Sequence, residues 1–144
     1  MIKIIAIGKL KEKYLKDAIA DYKKRISKYH KIELIELPDT NTTKEKEEIK
    51  KHISSKEYIV TMEIEGKELS SPELSRLIDK TFINYPCITF IIGSSEGLHD
   101  EIKSLSNYKL SFSKLTFPHG LFRLILLEQI YRSFKILNGE TYHK

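Results

Sequence analysis

The chain has 144 residues, of which 40% are hydrophobic and 31% charged, with a formal net charge of +5 and a single cysteine. That length accommodates one core, so a single domain over residues 1–144 is expected. One cysteine excludes an internal disulfide and a cysteine metal cluster, and no apolar run approaches the roughly 20 residues of a membrane span.

The first residues, "MIKIIAIGKLKEK", carry charge within and after a strand-like run, with neither a signal-peptide apolar core nor a small-residue cleavage site, so a cytoplasmic location is expected. "IKIIAIG" (2–8) is a β-branched run of the kind buried on both faces. Tyr14 to Tyr29 places Leu15, Ile19, Tyr22 and Ile26 at helical spacing. "IELIEL" (32–37) is a strand stopped by Pro38-Asp39, and the polar stretch 43–54 is a helix with a solvated face. A third strand, "EYIVTMEI" (57–64), runs towards Gly66. Ser71 and Pro72 then open a helix over 70–82, the serine as cap and the proline in the first turn. Cys87 sits in the fourth strand, "CITFIIG", as a small buried hydrophobe. A short helix "DEIKSLS" and a fifth strand "YKLSFS" (108–113) precede a long helix over 120–138. Alternation of this kind implies an α/β fold, a mainly parallel sheet flanked by helices.

Two features call for explanation. The loop "GSSEG" (93–97) leaves a strand as phosphate loops do, yet it matches neither a dinucleotide fingerprint nor a P-loop, and Glu96 would repel a phosphate. The last helix is apolar around most of its circumference. Leu121, Leu124 and Ile125 can face the sheet, which leaves Phe122, Leu126 and Phe134 for another partner and predicts a homodimer.

"GKLKEKYLKDAIADYKKRI" (8–26), "FIIGSSEGL" (90–98), "LSFSKLTFPHGLFRLILLEQIYRSFKI" (110–136) and the terminal "YHK" together resemble the bacterial large-subunit rRNA pseudouridine N3-methyltransferases, minimal members of the SPOUT superfamily. The resemblance implies a SPOUT α/β knot, with a C-terminal trefoil knot whose loops bind S-adenosylmethionine. It implies cofactor contacts at Met62, Gly93 and the run Phe112, Ser113, Lys114, Leu115, Thr116 and Phe117. The family commonly has leucine where this chain has Met62, a volume-conserving exchange. It often has Gly-Gly where this chain has Gly93-Ser94. A positive φ at Ser94 would be strained, so Gly93 alone is taken as a contact. The implied substrate is 23S rRNA in the assembled ribosome.

Methyl transfer to N3 of a pseudouridine requires no metal. It needs oriented reactants and a base, or a group that stabilises the anion left on an imide-like ring. His143 is the base candidate and Tyr142 a stacking or hydrogen-bonding one. From the residues alone this tail reads as a frayed terminus; the resemblance implies that it completes the active site across the dimer. Lys144 is expected on RNA phosphate. His119 is a capping or structural residue as readily as a catalytic or RNA-binding one, and Arg123, one turn on, holds RNA phosphate or the anionic base, with a surface salt bridge as the alternative. Lys9, Lys11 and Lys13 follow the first strand and could track an RNA backbone. The competing reading is a non-catalytic RNA-binding or ribosome-associated module with the same fold. Cofactor binding separates the two.

Overall fold

The computed structural model describes all residues, Met1–Lys144. Five strands, β1 (Ile2–Ile7), β2 (Ile32–Leu37), β3 (Glu57–Glu68), β4 (Cys87–Ile92) and β5 (Tyr108–Ser111), form one sheet in the order β2-β1-β4-β3-β5. Every pairing is parallel. The helices are α1 (Lys13–Ile26), α2 (Thr42–Lys50), α3 (Ser71–Asn84), α4 (Asp100–Leu105) and α5 (His119–Leu137). Crossovers running one way along the sheet carry α1 and α3 on one face, and those running back carry α2 and α4 on the other, as a single crossover hand requires. Strand alternation divides the core accordingly. Ile2, Ile4, Ala6, Phe90 and Leu110 pack with α1, α3 and α5, whereas Ile5, Ile7, Ile59 and Ile91 pack with Ile49 of α2 and Ile102 of α4. The central β4 is buried along its whole length.

Several local expectations change. Ser70, not Ser71, caps α3. Its side chain accepts from the Glu73 amide while the Glu73 carboxylate accepts from the Ser70 amide, a reciprocal capping box. β3 extends to Glu68 through a register shift, because Met62 and Lys67 both pair with Leu110. β5 stops at Ser111, two residues short of the predicted end. The residues of α5 expected to face a partner, Phe122, Leu126 and Phe134, pack within the chain. The helix lies between α1 and α3, where Leu126, Leu127, Ile130 and Phe134 are buried and the predicted sheet-facing Leu121 is exposed. Phe122 packs against Phe112 and Phe117 at 5.4 and 6.0 Å between ring centroids. The composition of α5 therefore does not by itself call for a second subunit. No helix is long and apolar enough to cross a membrane.

Candidate active site

A pocket of about 520 Å³ opens at the carboxyl ends of β3, β4 and β5, where parallel sheets hold their ligands. Its volume lies within the roughly 300–1,000 Å³ of small-molecule sites. Of the expected cofactor residues, Met62, Gly93, Phe112, Ser113, Leu115, Thr116 and Phe117 line it, and Lys114 does not. Ser94 also lines it, without the strain anticipated: no residue other than glycine has positive φ, and the left-handed position in this turn is Gly97, at +81°. Gly93 is required for a different reason. A Cβ there would lie 2.8 Å from the backbone of Gly97, so only glycine lets the turn close on itself.

The run 112–117 forms the opposite wall. Ser111 Oγ donates to the Ser113 carbonyl at 3.1 Å, and the Leu115 amide donates to Ser113 Oγ at 3.0 Å. The amides of Phe112, Ser113, Lys114, Thr116 and Phe117 make no backbone hydrogen bond. Phe112 and Phe117 anchor the run to Phe122 of α5, so these donors are held in place beside apolar Ile92, Leu98 and Leu110. The third wall comes from the β3 shift, which carries Glu63, Ile64 and Glu65 to the rim. Glu63 accepts from the buried Thr61 hydroxyl at 2.6 Å. The sequence pattern assigns these carboxylates no role, although Gly66 signals the bulge that displays them: a Cβ at Gly66 would stand 2.8 Å from the Lys109 carbonyl. Glu96, the acid singled out in the loop, is exposed outside the pocket. The resulting chemistry is an apolar slot with free amides and charged side chains of Glu63, Glu65 and Lys103, the two carboxylates suited to a flat heterocycle carrying a cationic arm.

His119 occupies the first turn of α5 and lines the pocket; Pro118 is the cap position, so His119 is not a capping residue. Arg123 points elsewhere. It is only 2% exposed, and its Nη1 meets Glu36 Oε2 at 2.6 Å while Nη2 donates to the Gly8 carbonyl at 2.7 Å. Glu36 also accepts from the Leu10 amide at 3.0 Å. Arg123 thus ties α5 to the loop after β1, and its guanidinium is not free for RNA or for an anionic base. The same loop presents Lys9 and Lys11 to solvent, Lys13 is exposed at the start of α1, and Leu10 and Leu15 press against Gly120 beside the pocket. His99, which the sequence leaves without a role, caps α4 by accepting from the Glu101 amide. No group of three or more His, Cys, Asp or Glu stands close enough to hold a metal.

The tail lies at the far end of α5. Gly139, at φ +65°, turns the chain back along the helix. Tyr142 is half-buried against Tyr131, ring centroids 5.1 Å apart, and His143 Nδ1 is 3.0 Å from Arg132 Nη1. Burial, with Tyr22 and the Glu128 carboxylate nearby, pushes the Tyr142 hydroxyl up to about 12, which keeps its proton on at neutral pH. Lys144 is exposed. At 1.5 Å per helical residue, His119 and Arg132 stand about 20 Å apart along α5. Within one chain the structure does not bring pocket and tail together.

Comparison with known proteins agrees with this architecture. The family described as "Predicted SPOUT methyltransferase" matches residues 1–143. The ribosomal RNA large subunit methyltransferases H of Clostridium acetobutylicum and Clostridium botulinum are 48% and 47% identical, each alignment covering 99% of both chains. A Methanococcus maripaludis relative is 51% identical over the same share. Among solved structures, a methylase-family protein from Haemophilus influenzae superposes with a TM-score of 0.60 at 11% identity, covering 99% of this chain and 70% of that one, a likeness of fold alone. The chain belongs to the SPOUT methyltransferase family, alongside the large-subunit ribosomal RNA methyltransferases.

Proposed function

We propose that the protein methylates N3 of a pseudouridine in 23S rRNA of the assembled ribosome, as a homodimer in which each pocket is completed by the partner's tail. The observation that carries this reading is the joining of three separate loops, at Met62, Gly93 and 112–117, around one pocket with free amides. Family membership supports a knotted passage of the C-terminal segment as the means of holding these loops together. The pocket fits S-adenosylmethionine: unpaired amides of 112–117 match the edge of an adenine, the apolar walls its faces, and the rim carboxylates of Glu63 and Glu65 a cationic arm. Bound there, that cofactor supplies a methyl group on a positively charged sulfur.

The chain's own residues have three tasks. The loops orient the donor. His119 and the lysines of the loop after β1 meet the RNA backbone, which a chain of net charge +5 attracts. Tyr142 and His143 meet the target ring from the partner, since within their own chain they are about 20 Å from the pocket along α5. Tyr142 keeps its proton and acts by stacking or by donating a hydrogen bond.

The test is methyl transfer from labelled S-adenosylmethionine to ribosomes lacking the modification. Two separately inactive variants are then mixed: Gly93→Val, which closes the pocket, and a chain lacking Tyr142–Lys144. Random exchange of subunits makes half the dimers mixed, each with one complete site, so activity should return to about a quarter of wild type. No recovery, with exchange confirmed, would show that pocket and tail act within one chain. Equal activity with and without the tail would return it to a frayed terminus.

A further inference from the structure

Beyond the pocket, a polar cluster of defined geometry stands at the end of α5 where the tail folds back. Glu140 accepts from Lys135 Nζ and from the Tyr29 hydroxyl, both at 2.7 Å, which pins the turn after Gly139. Arg132 lies over the Tyr142 ring, 4.9 Å from its centroid. The same guanidinium is clamped by Glu128, with Nε donating to Oε1 at 2.9 Å and Nη2 to the same oxygen. That clamp occupies two of its nitrogens and aims the third, Nη1, at His143 Nδ1.

This last bond has only one direction. A guanidinium carries five N–H donors and no acceptor, so Arg132 donates and Nδ1 accepts. An imidazole that accepts at Nδ1 holds its proton on Nε2. The Glu128 hydrogen bond raises the hold of Arg132 on its own protons still further. We infer that Glu128 and Arg132 are positioning residues that fix His143 in its Nε2–H form, so that it serves methyl transfer as a hydrogen-bond donor to the anionic ring and not as the base. This rests on the reading of the tail given above.

The consequence for the reaction is definite. N3 loses its proton to solvent water, the freed electron pair forms the new N–CH3 bond, and the former sulfur–methyl pair stays on sulfur. Negative charge left on the ring carbonyl oxygens during this sequence is what the Nε2–H meets. Donors pre-aimed at developing charge contribute roughly 10²–10³ in kcat. Polarisation by Arg132 through the ring makes Nε2–H a stronger donor.

Two measurements decide the matter. Long-range ¹H–¹⁵N correlation spectra of labelled protein at neutral pH should give His143 the Nε2–H pattern, and Arg132→Met should abolish its single-tautomer signature. Spectra showing the Nδ1–H tautomer or an imidazolium in the wild type would overturn the assignment, whatever the activity. In the ribosome assay, Gln places an N–H where Nε2 stands and cannot take a proton. His143→Gln should therefore keep kcat within about tenfold of wild type, while His143→Ala and Arg132→Met lose about a hundredfold with KM little changed. If Gln proves as inactive as Ala, the donor role is wrong. Failure of wild-type protein to label rRNA would instead overturn the proposed function, leaving the tautomer to be judged by the spectra alone.

Discussion

Arg123 shows where a residue read from sequence and its place in the fold part company. Its spacing from His119 is one helical turn, as expected, but the side chain turns away from the pocket to Glu36, 87 positions earlier in the chain. Nothing local in "HGLFRLI" announces that partner, and an arginine looks alike in sequence whether it faces RNA or a buried carboxylate. Loss of one member of such a pair strands the other and the backbone acceptors around it. Arg123→Ala should lower unfolding free energy by about 2–3 kcal/mol in urea titration, a range that allows for the partial exposure of Glu36. Unchanged stability with weakened ribosome binding would restore the RNA-facing role. The pocket itself is far more legible, because the resemblance names residues from three loops and seven of those eight line it. Lys114 is the one named residue outside the lining, its side chain exposed to solvent, a distinction that residue type does not encode.

Among the elements, every strand and helix is visible in the sequence, the long periodic runs most plainly, since these are the strongest signal a sequence carries. The errors lie where pairing, not pattern, decides. The pattern ends β3 at Ile64 because its alternation breaks there, whereas the strand resumes after the shift and pairs with β5. Pairing also explains a polar group inside the sheet. Lys3 of β1 reaches Glu57 of β3 at 2.8 Å, and Thr89 of β4, between them, donates to the same carboxylate. Burial pushes the Glu57 carboxyl up, but the hydrogen bonds from Lys3 and Thr89 outweigh it and hold the group below its ordinary value. A carboxyl lowered in the fold contributes stability above its unfolded value, and that contribution is lost as pH falls through the folded one. The stability advantage of wild type over Glu57→Gln should therefore be present at about pH 6 and shrink towards pH 3, as followed by urea midpoints. An advantage independent of pH would mean that the carboxylate's charge plays no part.

At the scale of the whole molecule, a net charge of +5 leans only weakly towards an anionic partner when read as a number. The fold adds location. Lys9 and Lys11 are exposed on a loop that Glu36 and Arg123 fasten, and Lys13 on the first turn of α1, beside the residues that open α5 and the pocket. Replacing all three with alanine should raise KM for ribosomes and lessen its salt dependence, by up to about one unit of log–log slope for each phosphate no longer neutralised. S-adenosylmethionine affinity, measured by calorimetry, should stay unchanged. A loss of cofactor affinity would place the loop in the pocket's own support. Pairing between chains is what sequence and a single chain express least. The apolar girth of α5 suggests a partner but belongs to the core, whereas the separation of tail from pocket depends on a turn at Gly139 that no periodicity reveals.

The shift in β3 has one more effect. Because Met62 and Lys67 share Leu110 as their neighbour, the residues between them contribute nothing to the ladder that aligns β3 with β5. The sheet would keep its register if that stretch were longer, shorter or differently charged. Ile64 and Glu65 can thus be exchanged almost as an accessory to the fold, while Glu63 stays as the acceptor of the buried Thr61 hydroxyl, and the rim of the pocket is free to drift towards new ligands while the scaffold beneath it stays bound by the close packing of its core.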